Sequence, residues 1–263
     1  MLPSFYIGSL SISTYGLCVS FGLIIMALTA FLLGRRYGIL LEDIVFGELT
    51  ALSGAFIGAH IFFALTNIDK LSNGIYIFIK EKRDFSFLLD LITVYAGGMV
   101  FYGGLLGGLL FGIIYCKIRK INLGMYSDCF AAAIPLFHAF GRVGCFLSGC
   151  CYGIESEFGF TAHSAIVDSC NHVNRFPVQL LESALNLIIF AVLLYLFRKR
   201  IMEGRLIALY LIMYAVVRFF DEFLRGDEYR GIYFFLSTSQ WLSLIIFICA
   251  VIILIKNKKQ RVK

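Results

Sequence analysis

Charge is what this chain has least of for its length. Asp, Glu, Lys and Arg make up 15% of its 263 residues, where a soluble domain carries about 25%. Proline occurs three times and tryptophan once. No low-complexity tract interrupts the chain, so there is little room for a linker or a second domain. Eight cysteines are too few for a disulfide scaffold of this size. The opening MLPSFYIGSL has no basic segment, and its apolar run continues to full span length, which argues against a cleavable signal peptide.

Apolar residues are abundant, at 60%, with a mean hydropathy of +0.86. One water-soluble core of this size cannot hide that much apolar surface, so the bilayer is the expected solvent. The net charge of +6 then reads as basic cytoplasmic loops and not as a nucleic-acid surface.

A membrane-crossing helix needs about 20 mostly apolar residues. Seven stretches qualify, at roughly 13–34, 44–65, 95–116, 127–148, 177–197, 206–224 and 239–255. The sequence predicts an all-α integral membrane protein, residues 1–263 forming a single transmembrane domain of about seven helices. The loops at 35–43, 117–126 and 198–205 and the tail from 256 carry fourteen Lys and Arg; the opposite side carries seven. Lys and Arg favour the cytoplasmic side. That bias puts the C-terminus in the cytoplasm, the N-terminus outside, and the loops at about 66–94 and 149–176 on the external face. The first of these loops, with IYIFIKEKRDFSFLLDLI, reads as an amphipathic interfacial element.

Glycines recur at four-residue spacing: Gly54 and Gly58; Gly103 and Gly107; Gly104, Gly108 and Gly112. Small residues so spaced let helices approach closely in lipid. The rival reading of Gly97–Gly108 is a thin wall beside a lipid cavity.

Charges at membrane depth cost roughly 2.5–3.5 kcal/mol even on a lenient scale, and they mark functional sites by default. Arg142, Arg218, Glu222, Glu48, His60 and Glu182 all fall within predicted spans. Arg218 and Glu222 are four apart and can pair on one face. Arg142 has no evident local partner; His138 and Cys145 share its face on a continuous helix. Gly141, Gly144 and Gly149 are expected to break that helix and free backbone N–H groups. Two buried arginines with free N–H groups suit a phosphate, and in a membrane the commonest phosphate is a phospholipid head group.

Cys18, Cys116, Cys129 and Cys249 lie in apolar runs and read as small hydrophobes. Cys145, Cys150 and Cys151 are poorly spaced for a metal, because adjacent cysteines do not easily ligate one ion. A zinc set completed by His138 and Cys170, a disulfide from Cys170 to Cys150 or Cys151, and an acyl-carrying thiol are weaker alternatives to small-residue packing. No metal is expected. His163 and His172 read as solvated loop histidines.

Seven segments in chain order together resemble the prolipoprotein diacylglyceryl transferase family: ISTYGL around Tyr15, GAFIGAHIFF, YAGGMVFYGGLLGG, GRVGCFLSGCCYG, RFPVQLLES, RFFDEFLR and STSQWLSL. The fourth is similar to the family signature GRxGNFxNxExxG. The resemblance implies transfer of a diacylglyceryl group from phosphatidylglycerol to the lipobox cysteine thiol of a preprolipoprotein, in the bacterial plasma membrane. Membrane lipid and the preprolipoprotein signal peptide are the implied partners, with no nucleic acid and no cofactor. Arg142 and Arg218 are the implied phosphate-facing residues, with Glu222 positioning Arg218. Tyr15, Cys145, Gly153, Gly103 and Gly104 join Arg142 as implied substrate contacts. The chain departs from the pattern at Tyr102 (histidine in the family), Cys145 and Ser148 (asparagines), Cys150 (glutamate) and His60 (arginine). Tyr102 or His138 then stands in for the missing base. Two alternatives remain beside this reading: a divergent paralogue with another acceptor, and a non-catalytic phospholipid-binding membrane protein.

Overall fold

A computed structural model describes residues 1–80, 86, 101–226 and 232–260. The chain divides into two compact units, one of residues 1–38 and 124–263 and one of residues 39–123.

In the smaller unit, α2 (Leu41–Thr66) and α4 (Phe101–Ile118) form an intimate pair, and α3 (Ile68–Lys80) follows α2. The glycine pattern explains the pairing. A Cβ built on Gly58 or Gly107 would press into the backbone of Gly103 or Gly54 on the facing helix, and Gly103 faces Gly58 and Phe62 in the same way. Packing is therefore what the structure gives Gly103 and Gly107. Residues 97–100, where the alternative cavity wall would begin, lie outside the described set. The charged ends of the pair are tied by Asp43, which accepts from Arg119 Nε at 2.9 Å and from the Tyr115 hydroxyl at 3.4 Å. Of the expected amphipathic element at 75–92, residues 75–80 form the end of the amphipathic helix α3; residues 81–85 and 87–94 of that loop lie outside the described set.

The larger unit opens with a hairpin, β1 (Ser4–Ile7) and β2 (Leu10–Ser13), that turns at Gly8 and runs into α1 (Thr14–Gly34). Ser13 caps α1 by accepting from the Gly16 amide. The helices α5 (Leu123–Ser148), α6 (Val178–Arg198), α7 (Leu206–Asp221) and α8 (Thr238–Gln260) complete it. Gly22 and Gly144 let α1 lie close to α5: a Cβ on Gly22 would meet Phe140 and Phe137, and one on Gly144 would meet Cys18 and Tyr15. Buried Asp128 on α5 ties the start of α7 by accepting from the amides of Gly204 and, at 2.8 Å, Leu206. It supplies the acceptors that helix N-termini leave wanting.

Helices occupy all seven predicted stretches, though the third is described only from residue 101. Five are long and apolar enough to cross a membrane: Thr14–Tyr37, Leu41–Leu65, Leu123–Ser148, Val178–Arg198 and Thr238–Lys256; Gly103–Ile118 is a shorter apolar helix. The protein is mostly helical and built for a bilayer. It departs from the all-helical expectation in three small antiparallel hairpins: β1–β2; β3 (Glu155–Thr161) with β4 (Asn174–Arg175); and β5 (Ile232–Tyr233) with β6 (Leu236–Ser237). Two- to seven-residue strands leave too short an alternation to register against apolar spans.

Candidate active site

The site is built along one face of α5 and closed by α6 and α7. The helix is continuous from Leu123 to Ser148, so Gly141 and Gly144 do not break it, contrary to the sequence expectation. Helical geometry keeps every amide between them paired. Only Gly149, left-handed at φ +72°, ends the helix.

Arg142 has a partner, but not a local one. Its Nε lies 2.8 Å from Glu182 Oε1 on α6, with Arg142 20% and Glu182 2% exposed. The Tyr214 hydroxyl on α7 is a second partner. The pair is 40 residues apart in sequence, which is why a search along one helix face missed it. A carboxylate so deeply buried needs a cation beside it, and Arg142 supplies one.

Arg218 and Glu222 pair as predicted, at 2.6 Å, and Arg218 Nη2 also donates to the Ser239 hydroxyl of α8 at 3.1 Å. Glu222 sits in a 3-10 turn, Glu222–Leu224, immediately after α7. Arg218 Nη1 is buried with no hydrogen-bond partner among the described residues, and so is one oxygen of neighbouring Asp221. A buried guanidinium nitrogen without an acceptor costs free energy unless a ligand provides one. Asp221 was not singled out from sequence, yet it shares the electrostatic environment of Glu182, Arg218, Arg142 and Arg225.

His138, one turn before Arg142, shares a 3.0 Å hydrogen bond between its Nδ1 and the Tyr210 hydroxyl, and the Tyr214 ring lies 4.9 Å from its own. Tyr15, at the start of α1, packs on Gly144 and interacts electrostatically with Arg142 and with Cys145, Cys150 and Cys151. The structure thus brings Tyr15, His138, Arg142, Cys145, Arg218 and Glu222 into one unit. Gly153 has a clear steric reason: a Cβ there would strike the carbonyl oxygens of Phe176 and Leu224. It also bridges to Arg225. Gly103 and Gly104 lie in the other unit and face α2. Tyr102 is the second residue of α4, and its side chain is outside the described residues.

The cysteine reading changes most. The sulfurs of Cys145, Cys150 and Cys151 all lie within 4.8 Å of one another. Adjacent cysteines were expected not to ligate one ion easily; Cys151 comes beside its neighbours with a left-handed backbone, at φ +55°. Hydrogen bonds with the Cys145 and Cys150 thiols, and then the Arg225 guanidinium, hold the Cys151 thiol well below its ordinary range, while bonding to its two neighbours pushes Cys150 up. Cys170 is instead a buried free thiol packed with Tyr152 and Ala162.

The family model described as prolipoprotein diacylglyceryl transferase matches residues 3–256. The chain belongs to that family. It is 32% identical over 256 residues to phosphatidylglycerol–prolipoprotein diacylglyceryl transferase 2 of Clostridium perfringens, covering 95% of this chain and 92% of that protein. It is 29% identical to the corresponding transferase of Clostridium tetani, covering 95% and 94% of the two chains. The Finegoldia magna transferase is 29% identical over 262 residues, covering 99% and 97%. Membership in this family of transferases extends over nearly the whole chain, and the paired arginines Arg142 and Arg218 stand within the matched span.

Proposed function

We propose that the protein transfers the diacylglyceryl group of phosphatidylglycerol to the lipobox cysteine thiol of a prolipoprotein. The observation that carries this reading is the family match over residues 3–256, and the two arginine–carboxylate pairs supply chemistry that fits it. The acceptor sulfur attacks the glyceryl carbon as thiolate. A C–S bond forms, the C–O bond to phosphate breaks, and its electron pair leaves on the glycerol phosphate.

Arg142 and Arg218 face the phosphate, whose charge grows as the bond breaks; preorganised donors stabilise such a developing charge. Glu182 and Glu222 hold the two guanidinium groups in place. Arg218 Nη1, which has no partner among the described residues, is a donor ready for a phosphate oxygen. Tyr15 and Cys145 contact the head group, and Gly153 lets the chain after the thiol cluster pass close to Phe176 and Leu224. His138 takes the thiol proton, directly or through Tyr210, with Tyr102 as the alternative. His138→Ala is then expected to lower turnover by about 10²- to 10⁴-fold, the usual contribution of a general base; unchanged turnover removes His138 from the role.

In this reading the chain is one domain crossing the bacterial plasma membrane seven times, with the N-terminus outside and the C-terminus in the cytoplasm. The segments near 66–94 and 149–176 face outward, where the signal peptide presents its cysteine. Neither substrate calls for a cofactor.

The substituted signature favours testing a second reading, a paralogue with another acceptor. Purified protein is given phosphatidylglycerol and a lipobox peptide carrying either cysteine or serine. Release of glycerol phosphate with cysteine alone supports the transferase reading; equal release with both, or with neither, contradicts it.

A further inference from the structure

We propose that Cys145, Cys150 and Cys151 form a binding site for a single thiophilic divalent cation of the zinc class. Nothing in the transfer chemistry above requires such an ion; the site follows from the geometry of the three sulfurs.

Their mutual separations, all within 4.8 Å, lie close to what one ion demands. Zn–S bonds of about 2.3 Å in a tetrahedral arrangement put sulfurs about 3.8 Å apart. A small contraction brings all three into ligation. The scaffold that aims them is ordered. Cys145 stands on the last turn of α5, and the Cys150 amide donates to the Cys145 carbonyl at 3.1 Å. Gly149 (φ +72°) reverses the chain, and Cys151 (φ +55°) turns its side chain back beside that of Cys150. The Cys150 carbonyl is held from α6 by Gln179 Nε2 at 2.8 Å. A cysteine seldom adopts a left-handed backbone unless its surroundings require it, and here that conformation is what makes the thiols converge.

Charge also favours a divalent ion. Three thiolates around one such ion leave a net charge of −1. Arg225 hydrogen-bonds Cys151, and Arg142 interacts electrostatically with Cys145 and Cys151. Such outer partners orient ligating sulfurs and raise affinity. Soft thiolate sets select zinc-like ions over calcium or magnesium. Cys145 is buried while Cys150 and Cys151 are part-exposed, so an ion has a way in. His138 is engaged with Tyr210 and Cys170 packs against Tyr152, so among the described residues the protein set is three sulfurs. Each thiol releases its proton to solvent on ligation. A fourth position stays open, as in catalytic zinc sites. An acceptor thiol would complete it; that last step rests on the transferase reading, whereas the ion site does not.

The test uses the full-length protein in detergent, reduced, stripped with chelator and thiol-counted. It is titrated with Cd²⁺ while the sulfur-to-cadmium charge-transfer absorbance is followed. The expected result is saturation at one Cd²⁺ per chain and displacement by Zn²⁺. The band is expected to be lost in Cys145→Ser and in Cys151→Ser and retained in Cys249→Ser. Arg225→Gln is expected to weaken binding about 10- to 100-fold. No band from fully reduced protein, or a band indifferent to Cys145→Ser, overturns the proposal. So does a disulfide among the three thiols in protein purified without air. The readout is independent of turnover. A protein that binds Cd²⁺ but transfers no lipid leaves the site standing and sinks the reaction; one that transfers lipid but shows no band does the reverse.

Discussion

Arg142→Lys is expected to fold normally and to lose transfer by about 10²- to 10³-fold, the usual effect of removing one preorganised donor from a site of developing charge. Lysine keeps a positive charge beside Glu182, so the ion pair that crosses from α5 to α6 survives. It cannot offer the planar fork of a guanidinium, which matches two phosphate oxygens at once. Arg142→Ala has a different outcome. It strands the Glu182 carboxylate, 2% exposed, without a cation, and breaking a buried pair in this way costs about 3–5 kcal/mol. The alanine variant therefore loses stability as well as turnover. Adding Glu182→Gln to it is expected to restore the thermal midpoint and leave transfer abolished. Wild-type turnover in Arg142→Lys, measured by glycerol phosphate release, would remove Arg142 from the phosphate.

The second large effect concerns folding. Gly107→Ala is expected to destabilise the α2–α4 pair by about 1–3 kcal/mol, the usual cost of forcing a methyl group into a filled contact. The built Cβ meets the backbone of Gly54 and Gly58 on α2, neither of which has a side chain that can move aside. Gly112→Ala, on the same helix, is the matched control: its Cβ meets only Ala51 Cβ, at 4.0 Å. Alanine is also the better helix former by about 0.8–1.0 kcal/mol in water, so the control is expected to be neutral or slightly stabilising. Equal thermal midpoints for the two variants in detergent would mean that the close glycine contact contributes nothing to stability.

Much of the fold was legible because the bilayer imposes one strong rule, about 20 apolar residues per crossing. Helices stand in the described parts of all seven stretches that meet it, and five of them are long and apolar enough to cross. The hairpins were not legible: β4, β5 and β6 have two residues each, too few for any periodic signal. At the site, Arg218 and Glu222 were readable because a four-residue spacing fixes a shared helix face. The Arg142–Glu182 pair was not, because its members lie on different helices and only tertiary packing joins them. Gly141 and Gly144 misled in the opposite direction: glycine permits a break, but the helix continues through both, and Gly144 serves the close approach of Tyr15 and Cys18.

The cysteines teach the same lesson more sharply. Residues i and i+1 diverge in regular structure, so the doublet Cys150-Cys151 gave no reason to expect convergence with Cys145. A positive φ at a non-glycine residue cannot be read from residue type, and one such angle reverses the conclusion. Of the signature positions that differ from the family pattern, Cys145 and Cys150 are thus brought together by the fold, with Cys151 beside them. Everything else about the function turns on whether the chemistry of the family survives that change.

Intact-mass analysis of a lipobox peptide after incubation with the purified protein and phosphatidylglycerol tests it most directly. The predicted product is a peptide heavier by one diacylglyceryl group, joined through its cysteine sulfur by a bond that resists mild base and hydroxylamine, as a thioether does and a thioester does not. An unmodified peptide in the presence of folded protein and bound phosphatidylglycerol would contradict the transferase reading.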